Sequence, residues 1–256
     1  MQERAAIQLL SAERRQAILT RLERDGKVVA SELVHHLGVS EDTVRRDLRE
    51  LASGGLVQRV HGGALPAAAT VSFAQRLGVA PEAKAHLAEA ALPLLEGASV
   101  IVLDGGTTAL ELARRLPHDR ACTVLTNAPP VAAALASHPR AEVVLIGGRL
   151  LKESQVTVGA ETVDALRRVR VDACVLGICS VHPEIGVTSI DHDEAQVKRA
   201  MVEASAEVIA LATADKLQTA SPWVVAPVSE LTHLVTDASD DVTAAYAAAG
   251  VSVVRA

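Results

Sequence analysis

Apolar and polar positions change rhythm once along this chain, from short helical stripes in the first sixty residues to compact apolar runs afterwards. Between Arg14 and Leu22, the residues Ala17, Ile18 and Leu22 fall on one side of a helix. Asp25-Gly26 interrupts that pattern, Ala30 to Leu37 supplies a second short helix, and Gly38 ends it before a tight turn. A third helix is expected to begin at Ser40, whose hydroxyl can accept from the unpaired first-turn amides, with Glu41 and Asp42 suiting the positive helix end. Val44, Leu48 and Leu51 then make one buried stripe, leaving Asp42, Thr43, Arg46 and Arg49 towards the opposite face and Arg45 on its flank. Gly54-Gly55 stops the helix, and Leu56 to Gly63 alternates apolar and polar residues as a short hairpin wing does.

Past residue 70 the pattern becomes strands alternating with helices. Apolar, β-branched runs occur at Ser99–Leu103, Thr123–Leu125, Glu142–Ile146, Ala173–Gly177, Val208–Leu211, Leu234–Thr236 and Val251–Val254. Helical stretches such as Lys84–Leu95, Thr108–Leu116 and Glu194–Ala204 separate them, which predicts an α/β domain with a largely parallel sheet. The expected organisation is a winged helix-turn-helix domain over 1–65, a structureless Pro- and Ala-rich linker over 66–72, and a larger α/β domain over 73–256.

Charge sharpens that division. Residues 1–65 carry 10 basic and 9 acidic side chains, and the remainder 15 basic and 22 acidic, so the acidic bulk points away from nucleic acid. A near-neutral head is a weak DNA signal alone; a dimer with its arginines clustered on one face compensates. Only Phe73, Trp223 and Tyr246 are aromatic, which favours duplex DNA over stacked single strands. No apolar run approaches the length of a bilayer span, and Glu3 and Arg4 stand where a secretory signal would be apolar, so a cytoplasmic protein without membrane contact is expected. Cys122, Cys174 and Cys179 lie in or near strand-like runs and are expected to be buried free thiols.

Two short helices, a glycine turn and an arginine-bearing third helix fit the plan in which the last helix enters the major groove. Thr43, Arg45 and Arg46 are the candidate base readers; Ser40 and Arg49 complete the helix side, and Arg59 and His61 on the wing would face phosphate or minor groove. The alternative for the same residues is a small helical bundle with a solvated charged face.

In open α/β sheets ligands bind beyond the carboxyl ends of the strands. Asp104-Gly105-Gly106-Thr107-Thr108 follows one strand and opens a helix, so its amides and threonine hydroxyls can surround a phosphate. The Lys of a nucleotide P-loop and the spacing of a dinucleotide fingerprint are missing, which argues against ATP and NAD. Thr126-Asn127, Gly147-Gly148-Arg149 and Asp215-Lys216 follow other strands and suggest the rim of one pocket, although each also reads as an ordinary surface turn or ion pair. His182 and the run Asp191-His192-Asp193-Glu194 have no diagnostic metal spacing, and Asp193-Glu194 suits a helix N-terminus, so no metal and no cofactor are expected.

The stretch RRQAILTRLERDGKVVASELVHHLGVSEDTVRRDLRELASGGLVQRVHGGAL resembles the winged helix-turn-helix of the DeoR family of bacterial transcription regulators, and the likeness continues through DGGTT, LTN, IGG and DEAQVKRAM. The resemblance implies a sensor domain related in fold to ribose-5-phosphate isomerase that answers to phosphorylated sugars or similar metabolites. It places Asp104, Gly106, Thr107 and Thr108 in the phosphate loop, with Thr126, Asn127, Gly147, Gly148, Gly186, Thr188, Glu194, Lys198, Asp215 and Lys216 also matching. Two departures stand out: Gly105 replaces the Ser common before Gly-Thr-Thr, and Asp215 directly precedes Lys216 without the usual polar residue between.

Three readings remain: a metabolite-controlled repressor acting on operator DNA as a homo-oligomer, a sugar-phosphate isomerase with an appended helical domain, and an architectural DNA-binding protein. The first accounts for both halves of the chain and is the expected one, with effector relieving repression.

Overall fold

A computed structural model describes residues 10–68 and 71–256. The chain forms two compact units, Met1–Ala69 with Gln218–Ala220, and Thr70–Leu217 with Ser221–Ala256. Glu3, Arg4 and the part of the expected linker at 69–70 lie outside the described residues.

The first unit runs α1 (Ser11–Asp25), β1 (Val28–Val29), α2 (Ala30–Leu37), α3 (Glu41–Ser53), β2 (Val57–Val60) and β3 (Gly63–Pro66). Gly26 and Gly38 end α1 and α2 at φ 70° and 64°, the left-handed conformation that glycine takes without a Cβ penalty. Ile18, Leu22, Leu33, Val44, Leu48, Leu51 and Val57 close a small core of their own. The hairpin expected over Leu56–Gly63 sits further along: β2 pairs antiparallel with β3 from Val57↔Pro66 to Val60↔Gly63, and β1 adds to the far side of β3. Gly63 is required there, because a Cβ would run into the Val28 carbonyl.

Much of the expected structureless linker is taken up by the ends of the two units. Pro66 belongs to β3, Ala67 bridges to Ala220 within the first unit, and the Ser72 hydroxyl caps the next helix by accepting from the Gln75 amide at 3.4 Å.

In the second unit the order is α4 (Phe73–Leu77), α5 (Pro81–Ala91), β4 (Val100–Leu103), α6 (Thr107–Arg115), β5 (Cys122–Thr126), α7 (Pro129–Leu135) and β6 (Ala141–Leu145). There follow β7 (Arg149–Leu151), β8 (Val156–Val158), α8 (Ala160–Arg167), β9 (Val171–Gly177), β10 (Ser180–His182), β11 (Gly186–Ser189) and α9 (His192–Ala204). β12 (Ser205–Leu211), β13 (Trp223–Ala226), β14 (His233–Thr236), α10 (Asp240–Ala248) and β15 (Ser252–Arg255) complete it.

The seven expected runs become one seven-stranded parallel sheet in the order β15-β14-β12-β9-β4-β5-β6. Its central strands are buried on both faces, which is why they read as unbroken apolar runs: Ile101, Val102 and Leu103 of β4 and Ala173 to Leu176 of β9 are all buried. The chain leaves β4 towards β5 and β6 on one side and later returns to build β9, β12, β14 and β15 on the other. The strand order therefore reverses between β4 and β9, the topological switch point of the parallel sheet, beyond whose carboxyl ends ligands bind in open α/β sheets. Two small antiparallel sheets, β7-β8 and β10-β11-β13, were not visible in the apolar pattern. Cys122 and Cys174 are buried free thiols; Cys179, just beyond β9, departs from expectation in being half-buried.

Candidate DNA interface and sensor site

The third helix starts as expected. Ser40 accepts from the Thr43 amide at 3.3 Å, and the two hydroxyls share a 2.9 Å hydrogen bond, so both anchor the start of α3. Thr43 is half-buried, whereas Arg45, Arg46 and Arg49 are exposed, as are Arg59 and His61 on the wing. Arg45 pairs with Glu41 one turn earlier at 2.6 Å; both side chains are open to solvent, so this pair restrains Arg45 only weakly.

One residue of α3 escaped the sequence reading. Asp47 is buried, and Arg14 of α1 grips it through two hydrogen bonds, from Nε to Oδ2 and from Nη2 to Oδ1, the latter at 3.0 Å. The signal was present: Asp47 stands three residues after Val44 and four before Leu51, on the buried stripe, where a carboxylate needs a cationic partner. Arg15 also reaches α3, pairing with Glu50.

In the second unit the switch point between β4 and β9 holds a buried ion cluster. Asp104, directly after β4, and Lys198 of α9 form a pair whose side chains are 1% and 4% exposed. Asp104 Oδ2 also accepts from the Gly177 amide at 3.0 Å, and Lys198 Nζ donates to the Gly177 carbonyl at 2.9 Å. Glu194, one turn before Lys198, comes within 3.4 Å of the ammonium and accepts from the Ser154 hydroxyl at 3.1 Å. Burial works against the Lys198 charge, but Asp104 and then Glu194 outweigh it, so its pKa is raised and it stays protonated. Its three donors are thus directed at protein oxygens. Gly177 allows this closeness, since a Cβ there would collide with the Gly105 carbonyl.

Above this cluster Gly106 turns the chain at φ 117°, and α6 begins at Thr107 with no side chain capping it. Thr107 is buried and Thr108 half-buried, both in the first turn. Gly105 packs so tightly that a Cβ would strike Val156 of β8, which explains physically why serine is absent at this position.

A second group lies at the ends of β5 and β6. Thr126 is buried and accepts from the Ala128 amide at 3.1 Å; Asn127 donates to the Thr157 carbonyl at 2.9 Å, and its buried Oδ1 has no partner among the described residues. Gly147 and Gly148 are exposed, with the Gly147 carbonyl accepting from Thr162 at 2.8 Å. Val156 and Ala128 both border Gly105, so this group adjoins the phosphate loop.

The remaining predicted residues fall elsewhere. Asp215 and Lys216 follow β12 in a short 3-10 turn and pair with each other at 2.8 Å, and Asp215 accepts from Thr213 at 2.5 Å. Gly186 and Thr188 belong to β11, where Thr188 is tied at 2.6 Å to Ser180 in a buried hydroxyl cluster. Asp191 caps α9 by accepting from the Glu194 amide at 2.8 Å, and Asp193 pairs with Arg149 at 2.6 Å. Sequence reading missed Lys84 of α5. It is buried, donates to the carbonyls of Arg76 and Val79, and has its pKa lowered by burial first and then by the neighbouring charges of Arg76 and Lys216.

A winged helix-turn-helix followed along the chain by an α/β unit with an uncapped helix N-terminus at its switch point is the make-up of a DNA-binding regulator with its own sensor. Comparison with known families agrees in both halves: residues 14–70 match the DeoR-like helix-turn-helix domain and residues 79–238 the DeoR C terminal sensor domain. The chain belongs to the DeoR family, and it is a transcriptional regulator rather than an enzyme. It is similar to the HTH-type transcriptional regulator GlpR of Haloferax volcanii, 35% identical across 96% of this chain and 98% of that one. It is also similar to the transcriptional repressor GlcR of Bacillus subtilis, at 32% identity over 88% of each chain. The glycerol-3-phosphate regulon repressor of Escherichia coli is 29% identical over 90% of this chain and 92% of its own. Among solved structures, a ribose 5-phosphate isomerase A from Methanocaldococcus jannaschii matches over 54% of each chain with a TM-score of 0.39 and 16% identity. Among the described residues no helix is long and apolar enough to cross a membrane.

Proposed function

We propose that this regulator is a repressor of a sugar or related catabolic operon, released from its operator by a phosphorylated sugar or similar metabolite held in the second unit. The observation that carries the reading is the α6 N-terminus: its first-turn amides lack a side-chain cap, two threonines stand in that turn, and the helix follows β4 at the point where the strand order of the parallel sheet reverses. Asp104, Lys198 and Glu194 satisfy one another beneath it and hold the loop in place, so the phosphate falls to the amides of Gly106 to Thr108 and the hydroxyls of Thr107 and Thr108. Asn127, Gly147 and Gly148 border the sugar end, where the unpartnered Asn127 Oδ1 accepts a hydroxyl. Asp215 and Lys216 pair with each other outside this arrangement.

On DNA, Arg46 and Arg45 read base edges, with Thr43 and Ser40 at the helix start, while Arg49, Arg59 and His61 meet backbone. A homo-oligomer presents two such helices to repeated half-sites, and effector favours a state in which their spacing no longer matches. The test is binding of full-length protein to a duplex enriched by selection from a random pool, with and without a panel of sugar phosphates. Release by one phosphate but not by its dephosphorylated sugar supports the reading; indifference to every phosphate contradicts it.

A further inference from the structure

We infer that the Arg14–Asp47 pair is a positioning device for DNA readout, setting the rotation of α3 about its own axis and hence the direction in which Arg45, Arg46 and Arg49 project. This rests on the reading that α3 is the DNA-contacting helix. At about 100° per residue, Asp42, Arg45, Arg46 and Arg49 occupy one arc opposite Val44, Asp47, Leu48 and Leu51. The apolar members of that buried side fix which face turns inward, but apolar contact is non-directional and tolerates a helix rolling by a fraction of a turn. A guanidinium fork on a carboxylate does not, because two parallel hydrogen bonds define a plane. Arg14 makes that fork with both oxygens of Asp47, from a position on α1 where its side chain is 10% exposed and that of Asp47 2%.

Asp47 is the immediate neighbour of Arg46, so the fixed point lies one residue from the principal reader. Arg15, next to Arg14, also pairs with Glu50 one turn further along α3, but that pair is open to solvent and restrains the helix only weakly, which leaves the buried Arg14–Asp47 fork as the fixed point. Bidentate reading of guanine demands an arginine in register and plane with the base edge, and a helix rolled out of register loses it while still reaching the phosphates. The pair therefore controls discrimination between sequences more than attachment to DNA.

The experiment compares full-length wild type, Asp47→Asn, Arg14→Lys and Arg46→Ala on the selected duplex and on a scrambled duplex at one salt concentration. Asp47→Asn keeps the shape of the acceptor and loses its charge; Arg14→Lys keeps the charge and replaces the planar fork by a single point. Both are expected to lower affinity for the selected duplex by about 5- to 150-fold, the worth of one bidentate base contact, while binding the scrambled duplex nearly as wild type does and with the same salt slope. Should Asp47→Asn prove unfolded by circular dichroism, Arg14→Lys decides. A folded Arg14→Lys protein whose ratio of selected to scrambled affinity equals that of wild type overturns the proposal, as does an equal loss on both duplexes. Arg46→Ala separates the two levels: if it too leaves discrimination intact, α3 is not the reading helix, and if it alone removes discrimination, only the positioning role falls.

Discussion

The Lys198 ammonium and the Asp104 carboxylate, 94 residues apart in the chain, meet as a buried pair between the ends of β4 and β9. They join the phosphate loop to helix α9, and Gly177 hydrogen-bonds to both. Removing one member of such a pair strands the other in a site that excludes water. Asp104→Ala is expected to cost about 3–5 kcal/mol in denaturant unfolding, and Asp104→Leu combined with Lys198→Met to recover most of it. A double variant no more stable than the single one would show that the pair is not what holds this loop.

The pH dependence follows from the raised pKa of Lys198. A cation whose folded pKa lies above its unfolded value of 10.5 contributes stability that is fully present below that value and is lost only as pH climbs through the folded one. Stability owed to this pair should stay constant from neutrality to mild alkali. Melting temperatures of wild type and of the Asp104→Leu, Lys198→Met double variant, taken at several pH values across that interval, should differ by a constant amount.

Gly105 and Val156 form a space-sharing pair, since a Cβ on Gly105 would enter the volume of Val156 Cγ1. Gly105→Ser should destabilise the chain by about 1–3 kcal/mol through overpacking. Val156→Ala in the same chain should relieve it, leaving a favourable coupling in a double-mutant cycle. Additive losses would refute the contact.

The two classes of arginine should separate on DNA. Arg46→Ala is expected to cost about 1–3 kcal/mol on the selected duplex and to relax preference at one base position, with effector affinity unchanged. Arg59→Ala should weaken binding to all sequences alike and reduce the salt slope by about 1. Loss of effector binding along with DNA binding in Arg46→Ala would indicate misfolding instead of a lost contact.

The fold was legible where burial is simplest. The inner strands of the parallel sheet announced themselves because a strand covered on both faces carries an unbroken apolar run, the edge strands β6 and β15 kept apolar runs although partly exposed, and Ser40 and Gly38 marked the turn before α3 by cap chemistry. The sheet β10-β11-β13 was not legible, because its inward residues include Ser180 and Thr188, whose hydroxyls are buried against each other and against Ser221 at 2.6 and 2.7 Å. No local pattern reveals polar groups that satisfy one another across the fold.

The candidate site divides along the same line. Motif spacing led to Asp104, Thr107 and Thr108, and the family resemblance added Lys198 to the effector residues; in the structure Asp104 and Lys198 are engaged by each other and by protein partners. Lys84 sits in a helix whose sequence gives it no distinction from a solvated lysine, and only the folded chain brings it near Lys216. Asp47 could have been found, since a carboxylate on the apolar stripe of α3 demands a partner.

The most direct test is fluorescence anisotropy of the selected duplex, titrated with wild type and Thr107→Val, with and without the sugar phosphate that acts most strongly. Wild type should release DNA on adding that phosphate, and Thr107→Val should bind the duplex equally well but need about 10- to 100-fold more phosphate, the worth of one hydrogen bond to a charged group. Release at the same phosphate concentration by both proteins, or no release by either, would contradict a phosphate held at the start of α6.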